Sequence, residues 1–534
     1  MTDRRPGHHA DRRPDHPAVV SATTGSVTTY GELEAASCRL AQLLRARGLQ
    51  PGDHVAVLLG NDPRYFEVAW AALRAGLYLT PINWHLGPAE AGHIVDDCDA
   101  AALVAGAELA PVVDRLGDHL GRVHTRLSLG GTLEGFQDLD EAVADLPTTP
   151  LTDEVEGSYM FYSSGTTGRP KGIMPPLSGN PFGSATPIDL LLQMAYGFDD
   201  DSRYLCPAPL YHAAPLGWSV ATQRLGGTVV LMSGFDAAGA LDTIAAHRVT
   251  KAQFVPTHFV RMLKLPDEVR AAADVSSLET VIHAAAPCPI EVKQRMLEWF
   301  GPIVHEYYAG SEGNGFCAIG PEEWLAHPGS VGRPLAGAVH VLDEAGRELP
   351  PGEAGQVWFE SATTFRYHKD PEKTAATFND RGWSTLGDGG YVDEEGFLYL
   401  TDRVSDMIIS GGVNIYPQEV ENVLALHPGV GDVAVIGVPH PEWGEEVMAV
   451  VQPADPHADP DALAAELVEH CRNGLAHYKC PRSVEFRAEV PRLPTGKLLR
   501  RQLRNEYASP QPSSRRSGPR AAALEPAPPW TGDS

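Results

Sequence analysis

Short apolar runs that alternate with amphipathic segments are the feature of this sequence that most restricts its fold. The strand-sized runs are Val55–Leu59, Ala101–Val104, Thr228–Met232 and Thr280–His283. The helical patterns between them are Tyr30–Gly48, Asp236–His247 and Glu291–Phe300. This alternation predicts parallel strands covered by helices, with ligands bound beyond the carboxyl ends of the strands.

The length of the chain and changes in its local sequence pattern predict several structural units. The chain has 534 residues, several times a usual single domain of roughly 100–200 residues. After Ser330 the segments Val339–Leu342, Gly355–Glu360 and Gly396–Leu400 are apolar and punctuated by Gly and Pro, which favours a small β-barrel-like subdomain. We therefore predict an α/β fold whose large N-terminal domain, residues 1–402, combines layered α/β sheets with that subdomain.

The remaining chain predicts a small α+β domain at 403–508, large enough to form a lid. Its elements are a helix at Pro417–Leu426, a strand at Asp432–Gly437 and a helix at Pro460–Ala476. Residues 509–534 are rich in Pro, Ser, Arg and Ala and predict a disordered tail. The most apolar stretch, Phe66–Leu79, contains Glu67 and Arg74 and predicts a buried helix rather than a membrane span.

Charge and cysteine content exclude several classes of protein. The formal net charge of −27 repels nucleic-acid backbones and anionic lipid surfaces, so we expect no nucleic-acid binding and no stable membrane anchoring. The seven cysteines form no CxxC pair, which argues against a disulfide framework or a zinc knuckle. Because the amino terminus has no apolar signal-peptide core, the sequence predicts a cytoplasmic protein.

A loop rich in hydroxyl groups and glycine is the strongest local signal. The run Tyr162–Gly172 reads YSSGTTGRPKG and follows the strand-like segment Ser158–Phe161. Its backbone N–H groups, hydroxyls and lysine are suited to grip phosphate oxygens. It is not the loop of P-loop ATPases, because Gly172 follows Lys171 where that motif has Ser or Thr.

This run resembles the signature of the adenylate-forming superfamily, which comprises acyl-CoA synthetases, the adenylation domains of peptide synthetases and firefly-type luciferases. The resemblance covers about residues 15–507, and its wording is most similar to bacterial fatty-acid and steroid-acid CoA ligases. It implies ATP, Mg²⁺ and coenzyme A as small-molecule partners. A carboxylic acid would become acyl-AMP with release of pyrophosphate, and the acyl group would then pass to CoA.

The resemblance also implies the nucleotide site. His305–Gly313 is similar to the family's aromatic-x-x-Thr/Ser-Glu motif, in which the aromatic ring covers adenine and the glutamate binds magnesium. Tyr308 offers that ring face, Ser311 a hydroxyl for the α-phosphate, and Glu312, together with Thr167, oxygen ligands for Mg²⁺. The full implied set is Ser163, Ser164, Gly165, Thr166, Thr167, Gly168, Lys171, Ala285, Ala286, Pro287, Tyr307, Tyr308, Ala309, Gly310, Ser311, Asp388 and Arg403.

By the same resemblance the C-terminal domain is mobile and carries groups for both half-reactions. Lys497, in the run PTGK, is the implied catalytic cation, since a carboxylate attacking a phosphate needs charge compensation. Ser405 stands where the family usually has an Asp or Lys hinge. The implied CoA and thioester-step residues are Ser410, Gly411, Gly412, Trp443, Tyr478 and Arg482.

The implied acid pocket involves Pro209–Trp218, with His212 as a gate residue counted among the catalytic candidates beside Lys497 and Glu312. Small residues around it would leave room for a bulky hydrophobic acid, such as a fatty, terpenoid or steroid acid. The implied pocket residues are Tyr211, His212, Ala213, Gly217, Gly310 and Gly315.

Two other functions stay open from the sequence alone. The chain could load a separate carrier protein, or release only acyl-AMP, since no carrier domain is fused to it. It could also be a non-catalytic nucleotide-binding homologue, although the expected catalytic residues are all present. A homodimer is likewise left open.

Overall fold

The computed structural model describes residues 3–163, 170–401, 406–410, 413–441, 443–492 and 498–507. The predicted hinge Ser405 and the predicted tail at 509–534 lie outside this part of the chain. Each of the seven cysteines is free. Among the described residues, no helix has the length and apolarity needed to cross a membrane.

The strands in the described part of the chain are β1 (Pro17–Ser21), β2 (Val27–Thr29), β3 (His54–Leu58), β4 (Tyr78–Pro81), β5 (Ala100–Gly106), β6 (Thr125–Leu129), β7 (Gln137–Asp138), β8 (Ser158–Tyr159), β9 (Phe161–Ser163), β10 (Lys171–Met174), β11 (Arg203–Cys206), β12 (Thr228–Leu231), β13 (Lys251–Phe254), β14 (Thr280–His283), β15 (Val304–Ala309), β16 (Phe316–Ile319), β17 (Arg333–Pro334), β18 (Ala338–Leu342), β19 (Gly355–Glu360), β20 (Arg366–Tyr367), β21 (Gly389–Val392), β22 (Leu398–Thr401), β23 (Ile408–Ser410), β24 (Val413–Ile415), β25 (Val430–His440), β26 (Gly444–Pro453) and β27 (Ser483–Phe486).

The α-helices in the same part of the chain are α1 (Pro6–Arg12), α2 (Tyr30–Ala46), α3 (Tyr65–Arg74), α4 (Pro88–Asp97), α5 (Ala110–Val113), α6 (Leu139–Val143), α7 (Pro187–Tyr196), α8 (Ala213–Leu225), α9 (Ala237–His247), α10 (Pro256–Leu263), α11 (Asp267–Ala272), α12 (Ile290–Phe300), α13 (Pro321–Ala326), α14 (Pro371–Ala376), α15 (Pro417–Ala425), α16 (Pro460–Gly474) and α17 (Arg500–Tyr507). Short 3₁₀ helices are found at Ala107–Leu109, Gly117–Leu120 and His477–Lys479.

Two large sheets form the N-terminal domain. The first has the order β17-β16-β15-β14-β13-β11-β12-β1-β2, and its strands from β15 to β1 run parallel. The second has the order β7-β6-β5-β3-β4-β8 and is parallel throughout. One hydrophobic core, built from residues of both sheets and of α2, α3 and α8, lies between them. Separate cores cover the two outer faces, which gives alternating layers of helices and sheets.

Alternation along β3 explains why each sheet is covered on both faces. Val55 and Val57 belong to the core between the sheets, whereas Ala56 and Leu58 belong to the core under α4. Successive side chains of a strand point to opposite faces, so a strand buried on both sides must be apolar throughout. The prediction of layered α/β sheets from such runs is confirmed.

The sequence predicted one buried helix over Phe66–Leu79, and this prediction is wrong. Helix α3 ends at Arg74, Gly76 adopts a left-handed φ of +73°, and the chain continues as strand β4. Glycine tolerates that backbone conformation without a steric penalty, which allows a sharp reversal between helix and strand. Arg74 is fully buried and donates to Glu34 Oε2 at 2.6 Å, which compensates its charge.

Smaller β-sheets are found where the sequence pattern changes to short apolar segments separated by Gly and Pro. β18, β19, β21 and β22 form a four-stranded antiparallel sheet in that order, with β18 and β22 at its edges. β9, β10 and β20 form a three-stranded sheet. The separate C-terminal domain contains a sheet of β24, β23, β26 and β25, with β27 added beside β26, and has hydrophobic cores of its own.

A buried histidine predicts a loss of stability in acid. Burial, with a smaller contribution from Arg261, lowers the pKa of His258 to about 3, and its ring stacks on Phe235 with centroids 3.7 Å apart. In the unfolded chain this histidine binds a proton below its ordinary pKa of about 6.5. Its contribution to the free energy of unfolding is therefore fully present above about pH 6.5 and is lost as the pH falls toward 3.

We expect His258→Phe to reduce the slope of unfolding free energy against pH by about 1.4 kcal/mol per pH unit below about pH 6. Urea unfolding at a series of pH values measures this slope. Substitution of the exposed His457 by Asn is the control and should leave the slope unchanged. An unaltered slope in His258→Phe would mean that this histidine is already protonated in the folded protein.

Candidate active site

The predicted site residues converge at one edge of the large sheet. β11, β14 and β15 are parallel strands, so their carboxyl ends share that edge. The segment Ala284–Pro287 follows β14, Gly310–Glu312 follows β15, and Tyr211 and His212 lie shortly after β11. The ligand-binding edge predicted from the sequence therefore brings together segments that are about 100 residues apart in the chain.

The turn after β14 is strained at one residue. Ala285 has a φ of +76° and is exposed. A non-glycine residue in this region costs of order 1–3 kcal/mol, and such residues cluster at functional sites. Because the side chains of this turn are small, its backbone is accessible to a ligand. This agrees with the implied role of Ala285, Ala286 and Pro287.

A cluster of buried charges lies directly behind this turn. Lys293 on α12 donates to Glu306 Oε2 on β15 at 2.6 Å, and His283 Nε2 lies 3.3 Å from the same oxygen. Burial alone would raise the pKa of Glu306, but His283 and Lys293 outweigh it and lower this pKa to about 2. The cluster joins α12, β14 and β15, the three elements that carry the adjoining loops.

The two tyrosines of β15 face opposite sides of the sheet. Tyr307 is buried in the core between the sheets, stacks on Trp218 and Phe316, and accepts a hydrogen bond from Gln253 Nε2 at 3.0 Å. Tyr308 points the other way and donates to Asp388 Oδ2 at 2.6 Å. The structure therefore joins the implied adenine and ribose residues directly, while the Tyr307 ring serves as core packing.

Glu312 is held by a residue that the sequence did not single out. Tyr367 on β20 donates its hydroxyl hydrogen to Glu312 Oε1 at 2.8 Å. On the other side, a Cβ placed at Gly310 would lie 3.0 Å from Glu312 Oε2 and 2.1 Å from the Leu386 side chain. Only glycine therefore fits at position 310, because a side chain there would clash with Leu386 and crowd the Glu312 carboxylate.

The phosphate loop joins two antiparallel strands. Ser163 at the end of β9 pairs with Lys171 at the start of β10. Lys171 Nζ donates to Asp370 Oδ2 at 2.6 Å, so its charge is already compensated within the protein. Ser164, Gly165, Thr166, Thr167 and Gly168 lie outside the described residues.

The acid-pocket segment carries an aromatic cluster. Tyr211 is buried and makes edge contacts with Trp84 and His85, which follow β4 of the second sheet. Burial and the neighbouring His85 lower the pKa of His212 to about 3, so this side chain is neutral near pH 7. His212 precedes α8, whose first residue is Ala213.

The small residues proposed to widen the pocket differ in their surroundings. A Cβ at Gly315 would lie 2.0 Å from the Phe359 ring, and the side of Gly310 is closed by Leu386. A Cβ at Gly217 would meet Ile188 at 3.2 Å. Gly310 and Gly315 are therefore required for close packing, and the open space that the sequence suggested beside them is filled.

In the C-terminal domain two of the implied CoA residues meet. The Arg482 guanidinium lies 3.7 Å from the centre of the Trp443 ring, and His440 stacks on the same ring at 4.4 Å. Tyr478 is 51% exposed within the 3₁₀ helix at His477–Lys479, and Ser410 ends β23. Arg403, Gly411, Gly412 and the predicted catalytic Lys497 lie outside the described residues.

Comparison with known proteins identifies the family. The family model described as AMP-binding enzyme matches residues 7–367, and the model of the AMP-binding enzyme C-terminal domain matches residues 419–497. The chain belongs to the AMP-binding enzyme family. This match confirms the predicted adenylate-forming superfamily, and relatives named as CoA synthases or CoA ligases confirm the prediction of an AMP-forming acid–thiol ligase that uses ATP, Mg²⁺ and CoA.

Individual relatives differ in acid and acceptor. The chain is 38% identical over 488 residues to a feruloyl-CoA synthase of Amycolatopsis sp., covering 90% of this chain and 94% of that protein. It is 35% identical over 517 residues to a fatty acid–[acyl-carrier-protein] ligase of Streptomyces coeruleorubidus, covering 93% and 95%. The solved structure of an anthranilate CoA ligase with anthranoyl-AMP matches with a TM-score of 0.82 at 25% identity, covering 95% and 97%.

The donor set around Glu312 suits Mg²⁺. Within the part of the chain that the structure describes, no cluster of three potential metal-ligating residues exists. Mg²⁺ in nucleotide sites is usually bound by one or two carboxylates together with substrate phosphates, so a single oriented glutamate fits. When bound, the ion would neutralise charge on the triphosphate.

Sequence reasoning missed Tyr367 and Asp370. Both lie in the run FRYHKDPEKT, where the only local signal is an Asp-Pro start for helix α14. That signal explains the capping bond from Lys373 N to Asp370 Oδ1 at 2.9 Å, but not the contact with Lys171, 199 residues away.

The buried cluster gives a stability prediction for this site. We expect Glu306→Gln to lower the free energy of unfolding by about 3–5 kcal/mol, because it leaves the Lys293 charge buried without its partner. Denaturant unfolding measures the change, and the double variant Glu306→Gln/Lys293→Met should recover part of it. A single variant as stable as the wild type would show that Lys293 is not charged in the folded state.

Proposed function

We propose that this enzyme activates a bulky hydrophobic carboxylic acid as its acyl-adenylate and transfers the acyl group to CoA. The observation that carries the proposal is that the Tyr308–Asp388 pair and Glu312, at the end of β15, are joined to the β9–β10 hairpin by Tyr367, whose strand β20 pairs with β10. Tyr308 has the chemistry to bind adenine, Asp388 ribose, Glu312 a metal ion and the hairpin phosphate.

In the first half-reaction an oxygen of the acid attacks the α-phosphorus of ATP, and the bond to pyrophosphate breaks. Asp388 is suited to accept from the ribose hydroxyls and Tyr308 to stack on adenine. Lys497 would bridge the carboxylate and the α-phosphate as the lid closes, since two anions approach each other in this step. Ser405 is the proposed hinge of that movement.

In the second half-reaction the CoA sulfur attacks the acyl carbonyl carbon, and AMP leaves. The Trp443–Arg482 stack supports CoA as acceptor, because an aromatic face with a guanidinium beside it suits a nucleotide and its phosphates. Ser410, Gly411 and Gly412 would line the path of the pantetheine arm, where glycine permits close approach of the backbone. A free carrier protein is the second candidate, favoured by the similarity to a carrier-protein ligase.

The nature of the pocket supports an apolar acid. Tyr211, Trp84 and the neutral His212 offer aromatic surface but no positive charge, so the pocket itself would bind the body of the acid and not its carboxylate. Because neighbouring side chains occupy the space beside Gly310 and Gly315, we expect the acid to lie beside the half-buried Ala213 and Ala214 at the start of α8.

A screen of pyrophosphate release with different acids tests the substrate class. We expect bulky fatty, aromatic or polycyclic acids to exceed acetate by at least about tenfold in kcat/KM, since each buried methylene contributes about 0.8 kcal/mol. Equal or better turnover of acetate would overturn the proposed substrate class while leaving the family assignment intact.

Lys497→Ala tests the division into two half-reactions. We expect acid-dependent pyrophosphate release to fall by about 10²–10³-fold, because the variant loses a charge aimed at the transition state. The variant should still form acyl-CoA from supplied acyl-AMP, which chromatography of the thioester measures. Failure with supplied adenylate as well would contradict the proposed role of Lys497.

The acceptor is tested by comparing thioester formation with CoA and with a panel of phosphopantetheinylated carrier proteins. We expect Arg482→Ala to raise the KM for CoA about tenfold, because it removes a charge-assisted contact, and to leave pyrophosphate release unchanged. A strong preference for a carrier protein over CoA would replace the first candidate by the second.

A further inference from the structure

Residues 366–370, here called the strap, touch both the metal-site glutamate and the phosphate-loop lysine. Tyr367 donates to Glu312 Oε1 at 2.8 Å, and Asp370 Oδ2 accepts from Lys171 Nζ at 2.6 Å. The strap lies about 200 residues after the loop and about 55 after Glu312 in the chain. One short segment therefore contacts two candidate site residues that come from different sheets.

The strap is fixed to the hairpin that carries the phosphate loop. Its strand β20 pairs antiparallel with β10, with Tyr367 opposite Ile173. His368 N donates to Gly172 O at 2.8 Å, one residue after Lys171. The Tyr367 ring packs with Ile173 and Phe365, so its hydroxyl is held by a packed side chain.

A second attachment ties the strap to the end of α4. Lys369 has a left-handed φ of +55° and donates to Asp97 O at 2.7 Å, and its Nζ lies 2.8 Å from Asp99 Oδ2. Tyr162, at the other side of the phosphate loop, donates to Asp97 Oδ2 at 2.6 Å. Both flanks of the loop are thus anchored at one place, and the strained residue at 369 is compensated by these contacts.

The two strap contacts have different electrostatic effects. A tyrosine hydroxyl is neutral, so it orients the Glu312 carboxylate without cancelling its charge, and Oε2 stays available. Asp370, in contrast, compensates the charge of Lys171; the hydrogen bond from Lys171 is the largest cause of the lowered pKa of Asp370. Asp370 therefore holds Lys171 in place and at the same time weakens the electrostatic attraction of Lys171 for an anion.

We propose that the strap is a positioning element for adenylation: Tyr367 orients Glu312 toward the metal–triphosphate complex, and Asp370 sets the position of Lys171 at the base of the phosphate loop. This inference rests on the proposed adenylation site. Tyr367 and Asp370 act through Glu312 and Lys171 and are positioning residues rather than catalytic ones. Groups that support a metal ligand in this way typically change metal affinity by about 10–100-fold when removed.

The first test is Tyr367→Phe, which keeps the packed ring and removes only the hydroxyl. The readout is the thermal shift caused by a non-hydrolysable ATP analogue at increasing Mg²⁺ concentrations. We expect the Mg²⁺ concentration for half-maximal stabilisation to rise about tenfold, with a melting temperature close to that of the wild type in the absence of nucleotide. Tyr399→Phe is the matched control, since it removes a similar bond to Asp393 Oδ2 at 3.1 Å in the four-stranded sheet.

A wild-type Mg²⁺ dependence in Tyr367→Phe, or a shift of the same size in Tyr399→Phe, would overturn the role of Tyr367. This measurement does not require turnover. A wild-type protein that shows Mg²⁺-dependent nucleotide binding but no acid-dependent pyrophosphate release would therefore contradict the proposed function and still test the strap.

The second test is Asp370→Asn, which retains an oxygen to accept from Lys373 N and removes the charge beside Lys171. We expect kcat for pyrophosphate release to fall about tenfold without an increase in the KM for ATP, because Lys171 keeps its attraction for phosphate but loses its fixed position. An increase in KM with kcat unchanged would mean that Asp370 supports binding only, and would overturn this part of the proposal.

Discussion

The parallel arrangement of the neighbouring strands β11, β13, β14 and β15 is the constraint on which the rest of this site depends. Parallel strands end on the same side of their sheet, so the loops that follow them must meet there. The implied adenine turn, the Glu312 segment and the acid-pocket segment are brought together by this geometry alone. Their own sequences only need to supply suitable side chains and a backbone that can turn.

Buried charge then fixes the strands relative to one another at that edge. Glu306 forms an ion pair with Lys293 of the covering helix and lies beside His283 of the neighbouring strand. A charged group left alone in such surroundings would be very costly, so the three side chains are forced to remain together. Ala285, with its unfavourable φ, comes two residues after His283. The buried cluster therefore lies directly behind the strained turn and supports it.

The groups expected to contact ATP are themselves held by partners from later in the chain. Asp388 binds the Tyr308 hydroxyl, Tyr367 binds Glu312, and Asp370 binds Lys171. Each partner belongs to the small β units that follow the large sheets. These units therefore do more than enlarge the N-terminal domain, because they orient the groups that the large sheet and the hairpin present. Such preorganisation reduces the entropy lost when substrates bind in a reactive geometry.

The sequence by itself determined the layered α/β architecture, the separate C-terminal domain and the family, because apolar periodicity and the loop and Glu312 motifs are local properties of the chain. It even located β14 to the residue, since Thr280–His283 is a short run of mainly β-branched residues. It misjudged Phe66–Leu79, where one uniformly apolar stretch contains a helix, a glycine turn and a strand. Only the tertiary structure decided that Tyr307 faces the core while Tyr308 faces Asp388, that Leu386 and Phe359 fill the space beside Gly310 and Gly315, and that Tyr367 holds Glu312. These facts depend on contacts between residues far apart in the chain, and such contacts leave no pattern in the local sequence.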